Sequence, residues 1–309
     1  MSRRDILSRL AGGDRLLLDG GMGSEIQRRG ISVGRGATPE RLGAWSATAM
    51  GDAPEVVREI HEDYLRAGAD IITTNSFSTN RVRLKYVGLE DKMEEYTRLS
   101  AKIACEARDR LNPGAYVAGS VAPAPLDSWD LVREFADQAA VLTEAGVDLI
   151  LVEYVGRISD CVRAVQAVSQ TGLPVFLGIC KVTLEGTLQF SGETGETVEQ
   201  LVSALEGHKV HAILPMCSRP EMISATLPRL RQAFDGPVGA YANVGYKWAP
   251  HQTANAEWEG HVVDPDYTPE CYAGFAREWF EAGAQIVGGC CATGPEHIAA
   301  VRPVIQARS

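Results

Sequence analysis

Short apolar runs bounded by Gly, Asp or Pro recur along the whole chain, and amphipathic stretches separate them. Eight such runs, at 16–20, 70–75, 115–120, 148–154, 174–180, 212–217, 237–243 and 285–290, read as strands. Most are continuously apolar rather than alternating, as expected of strands covered on both faces of a parallel sheet. The stretches between them carry helical periodicity. In 54–67 (PEVVREIHEDYLRA) the positions Val57, Ile60, Tyr64 and Leu65 fall on one face, and 92–111, 131–145 and 270–282 are patterned alike. Ala-Gly steps at 67–68, 145–146 and 282–283 place glycine where a left-handed helix C-cap is expected.

Strand–helix alternation repeated eight times predicts an α/β protein, a (β/α)8 TIM barrel, as a single domain over 1–309. The alternative is an open doubly wound sheet. Such a sheet would carry a glycine-rich phosphate fingerprint after an early strand, and DGGMG at 19–23 is a poor one. The longest irregular piece, 247–268, is rich in Trp, His, Asn and Pro and reads as a loop over the barrel mouth.

Barrels of this kind keep their chemistry at the C-terminal ends of the strands. Here those ends carry Asp19, Asn75, Ser120, Glu153, Cys180, Cys217, Asn243 and the adjacent pair Cys290 and Cys291. Polar groups or thiols at every end, converging on one mouth, predict an enzyme.

Composition narrows the class. A chain of 309 residues with 45% hydrophobic content can bury a core without staples, and no run is long enough for a membrane helix. The net charge of −10 argues against a nucleic-acid partner, which would require clustered Lys and Arg. The leading MSRRDILSRLAGGDR lacks the apolar run and cleavage site of a signal peptide. Seven cysteines, an odd number, suit a reducing compartment better than a disulfide framework. The expected location is the cytoplasm; oligomeric state is not legible.

Cys217 ends one apolar run, and Cys290 with Cys291 ends another far along the chain. This is not a C-x-x-C pattern; what joins them is the barrel, whose sixth and eighth strands aim into one mouth. Neighbours on a regular strand point to opposite faces, so the chain must turn between 290 and 291 for both to reach one centre. Gly288 and Gly289 before the pair, and Thr293-Gly294-Pro295 after it, supply freedom for that turn. Three thiolates would hold Zn2+ with one position open, as catalytic sites do, and a thiol entering there would be ionised at neutral pH. The alternative is that the cysteines pack as small hydrophobes. Asp19 and Glu153 would then be the acid–base pair of a barrel hydrolase or lyase.

Several segments resemble the homocysteine S-methyltransferase family. They are GGCCATGPEHIAA at 288–300, similar to its C-terminal zinc motif, LDGGMG at 18–23, IHEDYLRAGADIITTNSFSTN at 60–80, GSVAP at 119–123 and Cys217 within MCSRP. The likeness runs nearly end to end. It implies a barrel enzyme with Zn2+ on Cys217, Cys290 and Cys291 that moves a methyl group from a small onium donor to homocysteine, giving methionine. It further implies that Asp19, Gly20 and Glu153 hold homocysteine, the carboxylates on its ammonium group, and that Asn75, Phe77 and Tyr154 line the site. Asn75 reads equally well as a structural turn residue. A homologue that binds thiol and zinc without transferring methyl is a further alternative.

The chain departs from the family at three places. Met216 stands where Asn commonly precedes the first zinc cysteine, Ala292 replaces a common Gly, and Tyr154 replaces a common Thr. Betaine-using members share the Glu-Tyr step at 153–154, which tilts the donor toward a quaternary ammonium over S-methylmethionine or dimethylsulfoniopropionate.

Methylated cations favour aromatic faces, worth about 0.5–2 kcal/mol each. Trp45, Phe77, Trp129, Tyr154, Tyr241 and Trp248 are candidates, with Phe77 and Tyr154 best placed. His251 and His261, beside Trp248 on the presumed lid, read as solvated or packing residues. No nucleotide fingerprint for S-adenosylmethionine is visible, and folate or cobalamin donors are expected to need further domains.

Overall fold

The computed structural model describes residues 4–306 except 39–41, 124–130, 191–192 and 248–260. Eight parallel strands form its main sheet: β1 (Leu16–Leu17), β2 (Ile71–Thr73), β3 (Tyr116–Val121), β4 (Leu149–Val155), β5 (Val175–Cys180), β6 (Ala212–Met216), β7 (Val238–Ala242) and β8 (Ala284–Gly289). From β2 to β8 each strand pairs with the next in sequence, and β1 pairs with β8. A parallel bridge from Leu18 to Ile71 closes the ring, held by Asp19 N–H to the Ile71 carbonyl at 3.0 Å. The predicted (β/α)8 barrel is the observed architecture.

Alternation along the strands explains why the apolar runs are continuous. Leu16, Leu18, Ile71, Leu149, Leu151, Phe176, Leu214 and Ile286 fill the barrel interior. Leu17, Ile72, Ile150, Val152, Leu177 and Val287 pack outward under the helices. The helix Pro54–Arg66 buries Val57, Ile60, Tyr64 and Leu65, the face its periodicity marks. Gly68, Gly146 and Gly283 take the expected positive φ, at +100°, +89° and +97°.

Strands β1, β2, β6, β7 and β8 stop short of their apolar runs at the C-terminal end, where the chain leaves the ladder at the mouth. β1 keeps only two residues of its run. Two antiparallel hairpins were not legible in the sequence: Thr187–Phe190 with Glu193–Thr197 after β5, and Gly245–Lys247 with His261–Val263 after β7. The second lies partly within 247–268, so that segment is not wholly irregular; three-residue strands give too little alternation to read. Among the described residues no helix is long and apolar enough to cross a membrane.

Candidate active site

The three thiols predicted to converge do converge. Cys217 Sγ lies 3.8 Å from Cys291 Sγ, and Cys291 Sγ lies 4.0 Å from Cys290 Sγ. All three sulfurs stand within 4.8 Å of one another, and all seven cysteines are free thiols. Cys217 leaves β6 with φ +47°, its N–H still bonded to the Tyr241 carbonyl at 3.0 Å. Cys290 N–H bonds the Ala242 carbonyl at 2.8 Å, and the chain then turns, with Thr293 donating N–H and hydroxyl to the Cys290 carbonyl. Crowding makes this cluster hard to ionise without a cation. The Cys290 thiol is pushed well above its ordinary range by contact with Cys217 and Cys291, and then by burial.

The left-handed residue of this turn is Ala292, φ +64°, whose N–H donates to Ser24 Oγ at 2.8 Å. Gly288 and Gly289 are extended strand residues, so the expectation that their backbone freedom makes the turn is corrected. They supply room instead: a β-carbon on Gly288 would sit 2.8 Å from the Asp19 carbonyl oxygen, and one on Gly289 would overlap Thr293. Gly20 serves likewise, since a β-carbon there would stand 2.6 Å from the Thr293 carbonyl oxygen.

Two buried carboxyls share the mouth. Asp19 accepts from Thr73 N–H at 2.6 Å and Thr73 Oγ1 at 2.9 Å. Burial pushes it up to about 8 against those hydrogen bonds, with Glu153 adding to the rise. Glu153 accepts a short hydrogen bond from Ser120 Oγ. Burial raises it to about 7; the Ser120 and Tyr241 hydroxyls oppose this and Cys217 reinforces it. Among the described residues no Lys or Arg forms an ion pair with either carboxyl. Burial with no basic partner among the described residues favours their protonated forms.

Aromatic groups adjoin the thiols. Tyr154, φ +59°, meets Phe77 edge to face with centroids 6.0 Å apart. Burial raises the Tyr154 phenol, helped by Cys217 and the other mouth cysteines. Left-handed backbone at Tyr154, Lys181, Cys217 and Ala292 costs about 1–2 kcal/mol each and clusters at the ends of β4, β5, β6 and β8.

Other predicted positions do different work. Asn75 Nδ2 donates to the Ser46 carbonyl at 3.0 Å and to Met50 Sδ at 3.4 Å, tying the segment after β2 to residues 46–50. Asn243, another strand-end residue, accepts on its Oδ1 from Gly245 N–H at 2.8 Å, holding the turn after β7. Trp45 packs its indole over Gly23. Trp129, Trp248 and His251 lie outside the described residues, as does the side chain of His261.

Residues 16–305 match the family described as homocysteine S-methyltransferase. The chain belongs to this family. Homocysteine S-methyltransferase YbgG of Bacillus subtilis (strain 168) is 27% identical, with 92% of each chain covered. Betaine–homocysteine S-methyltransferase 1 of Danio rerio is 27% identical over 99% of this chain and 76% of its own. The crystal structure of the Escherichia coli homocysteine methyltransferase MmuM, in metallated form, superposes with a TM-score of 0.75 at 26% identity. That match covers 96% of this chain and 98% of the other. Methyl transfer to homocysteine is therefore the class of reaction, and the hydrolase or lyase alternative falls.

Sequence reasoning missed several members of this homocysteine methyltransferase site. Met216, flagged only as a departure, accepts the Tyr154 N–H on its sulfur at 3.0 Å. Thr73, which orients Asp19, carried no signal beyond its place at the end of β2. Ser120 was read only as a polar strand end, not as the partner of Glu153.

Proposed function

We propose that this enzyme is zinc-dependent and transfers a methyl group from a small onium compound to homocysteine, releasing methionine. The observation that carries the reading is the sulfur triangle. Sulfurs bound tetrahedrally at about 2.3 Å stand roughly 3.8 Å apart, and Cys291 Sγ lies 3.8 and 4.0 Å from the other two sulfurs here. Cys217, Cys290 and Cys291 would hold Zn2+, which when bound supplies the positive charge that keeps an arriving thiol ionised at neutral pH.

The rest falls to the chain's own groups. Asp19 and Glu153, buried and with no basic side chain paired to them among the described residues, suit the substrate ammonium and lose protons as it arrives. Thr73 and Ser120 fix their orientation. Tyr154 and Phe77 offer aromatic surface to the methylated cation. In the transfer a sulfur–carbon bond forms as the onium–carbon bond breaks in line, and the electron pair stays with the departing nitrogen or sulfur. The leaving group needs no proton, so no general acid has to be found. The Glu153-Tyr154 step favours a quaternary ammonium donor, and the need for reduced Cys217, Cys290 and Cys291 fits the cytoplasm.

Zinc-loaded enzyme, homocysteine and each of betaine, S-methylmethionine and dimethylsulfoniopropionate are incubated separately and assayed for methionine. Methionine from at least one donor is expected; none from any would overturn the reading.

A further inference from the structure

Cys217 and the pair Cys290 and Cys291 leave the barrel on separate loops, and one residue far from the thiols is bonded to both loops. Tyr267 lies on the turn between the hairpin strand His261–Val263 and the helix Pro269–Glu281, and it is buried. Its hydroxyl donates to Glu221, at 2.8 Å from Oε1 and 3.0 Å from Oε2, and accepts from Arg219 Nη1 at 3.2 Å. Arg219 caps the helix Pro220–Ala233, just beyond Cys217, and Glu221 stands in its first turn. The Tyr267 carbonyl faces the other loop. It lies 3.1 Å from His297 Nε2, while His297 Nδ1 accepts from Gly294 N–H at 3.2 Å. Since Nδ1 accepts, Nε2 carries the proton and donates it to Tyr267. Gly294 is three residues beyond Cys291. The imidazole is buried and meets the Tyr272 ring edge to face, with centroids 5.9 Å apart.

A second path runs through the backbone. Val244 N–H donates to the Cys291 carbonyl at 3.1 Å, Asp264 N–H to the Val244 carbonyl at 2.9 Å, and Tyr267 N–H to the Asp264 carbonyl at 3.0 Å. Asp264 also pairs with Arg219 at 3.5 Å. The turn 264–267 is therefore fastened to the exit of β6 on one side and to the loop after β8 on the other. Three thiolates meet one cation only when both loops stand at a fixed separation. Freedom frozen during folding need not be lost again on binding, so a bridge between the loops raises metal affinity without touching the metal.

We propose that Tyr267 is a positioning residue, a clasp that joins the two thiol-bearing loops and thereby holds Cys217 and Cys291 at the spacing that zinc requires. The metal rests on the function proposed above; the clasp rests on the bonds at the two ends of Tyr267. The hydroxyl restrains the loop of Cys217 and the carbonyl, through His297, restrains the loop of Cys291. Cutting either end releases the connection, so the two ends act as one unit.

The test compares wild type with Tyr267→Phe, with Glu221→Ala at an exposed position, and with His297→Asn, which offers Gly294 an acceptor but does not reach Tyr267. Hydrogen exchange of peptides covering 291–297 is followed in the metal-free full chain, and Zn2+ affinity is measured by competition with a chelator. Cutting the hydroxyl end, in Tyr267→Phe or Glu221→Ala, is expected to speed exchange around Gly294 on the opposite loop. It should also weaken Zn2+ binding roughly three- to ten-fold, the worth of one ordinary hydrogen bond. Tyr267→Phe combined with His297→Asn should weaken zinc no more than the worse single change, because one connection is lost only once. Exchange around Gly294 that ignores both hydroxyl-end variants would overturn the clasp, as would effects of the two ends that simply add. The metal-free measurement separates the two readings. Exchange coupled across Tyr267 in a wild type that binds no Zn2+ keeps the clasp and removes the function proposed above. Tight Zn2+ binding that ignores all three substitutions keeps that function and removes the clasp.

Discussion

Gly21 and Cys290 are in such close backbone contact that a β-carbon on residue 21 would overlap the Cys290 carbonyl oxygen. The exit of β1 therefore braces the loop that carries two of the three thiols. Gly21→Ala is expected to cost about 1–3 kcal/mol by overpacking and to push that loop off its position. Zinc per chain should fall below one and thermal stability should drop together; full zinc content in a stable variant would contradict the bracing role.

Removing a ligand should act on metal and chemistry while sparing the barrel. In Cys217→Ser and Cys290→Ala, bound zinc and methionine formation are expected to disappear together while the circular dichroism of the fold persists. Retained turnover in either variant would contradict the assignment of these thiols.

The carboxyl pair sets a pH dependence. With Asp19 near 8 and Glu153 near 7, both raised chiefly by burial, the empty site holds protons that a bound ammonium displaces. The apparent KM for homocysteine should therefore fall as pH rises through 7–8. Asp19→Asn should raise that KM roughly ten-fold or more by losing a charge-assisted bond, and should flatten its pH dependence. Ligand-free stability runs the other way. A carboxyl whose folded pKa lies above its unfolded one stabilises fully below the unfolded value and loses that contribution as pH rises through the folded value. Asp19→Asn should thus gain in Tm relative to wild type between pH 4 and 8, a trend that thermal melts across that range will show or refute.

Met216 holds the strained Tyr154 backbone through its sulfur. Met216→Leu keeps the volume but leaves the Tyr154 N–H unmet, at a cost of about 1–3 kcal/mol. The expected result is a lower Tm and a raised donor KM, with homocysteine KM changed much less. Equal rises in both would assign Met216 to the wider site instead of to Tyr154.

What the chain reveals on reading follows from how local each signal is. The barrel was legible because strands buried on both faces must be apolar throughout, as 148–154 is. The thiols were legible because Cys217, Cys290 and Cys291 sit at strand ends and within a recognisable motif. The turn between Cys290 and Cys291 was legible as a necessity but not in its means, since a left-handed Ala292 runs against residue preference and is sustained by contacts such as that with Ser24, distant in sequence. Ser120 beside Glu153 and Met216 beneath Tyr154 are likewise products of strand register, which no short window of sequence encodes.

Sulfur coordination at the metal tests the central claim most directly. X-ray absorption at the zinc edge of the purified enzyme should report three sulfur ligands alone and four once homocysteine is added. A count that stays unchanged on adding homocysteine, or zinc bound without sulfur, would contradict the account.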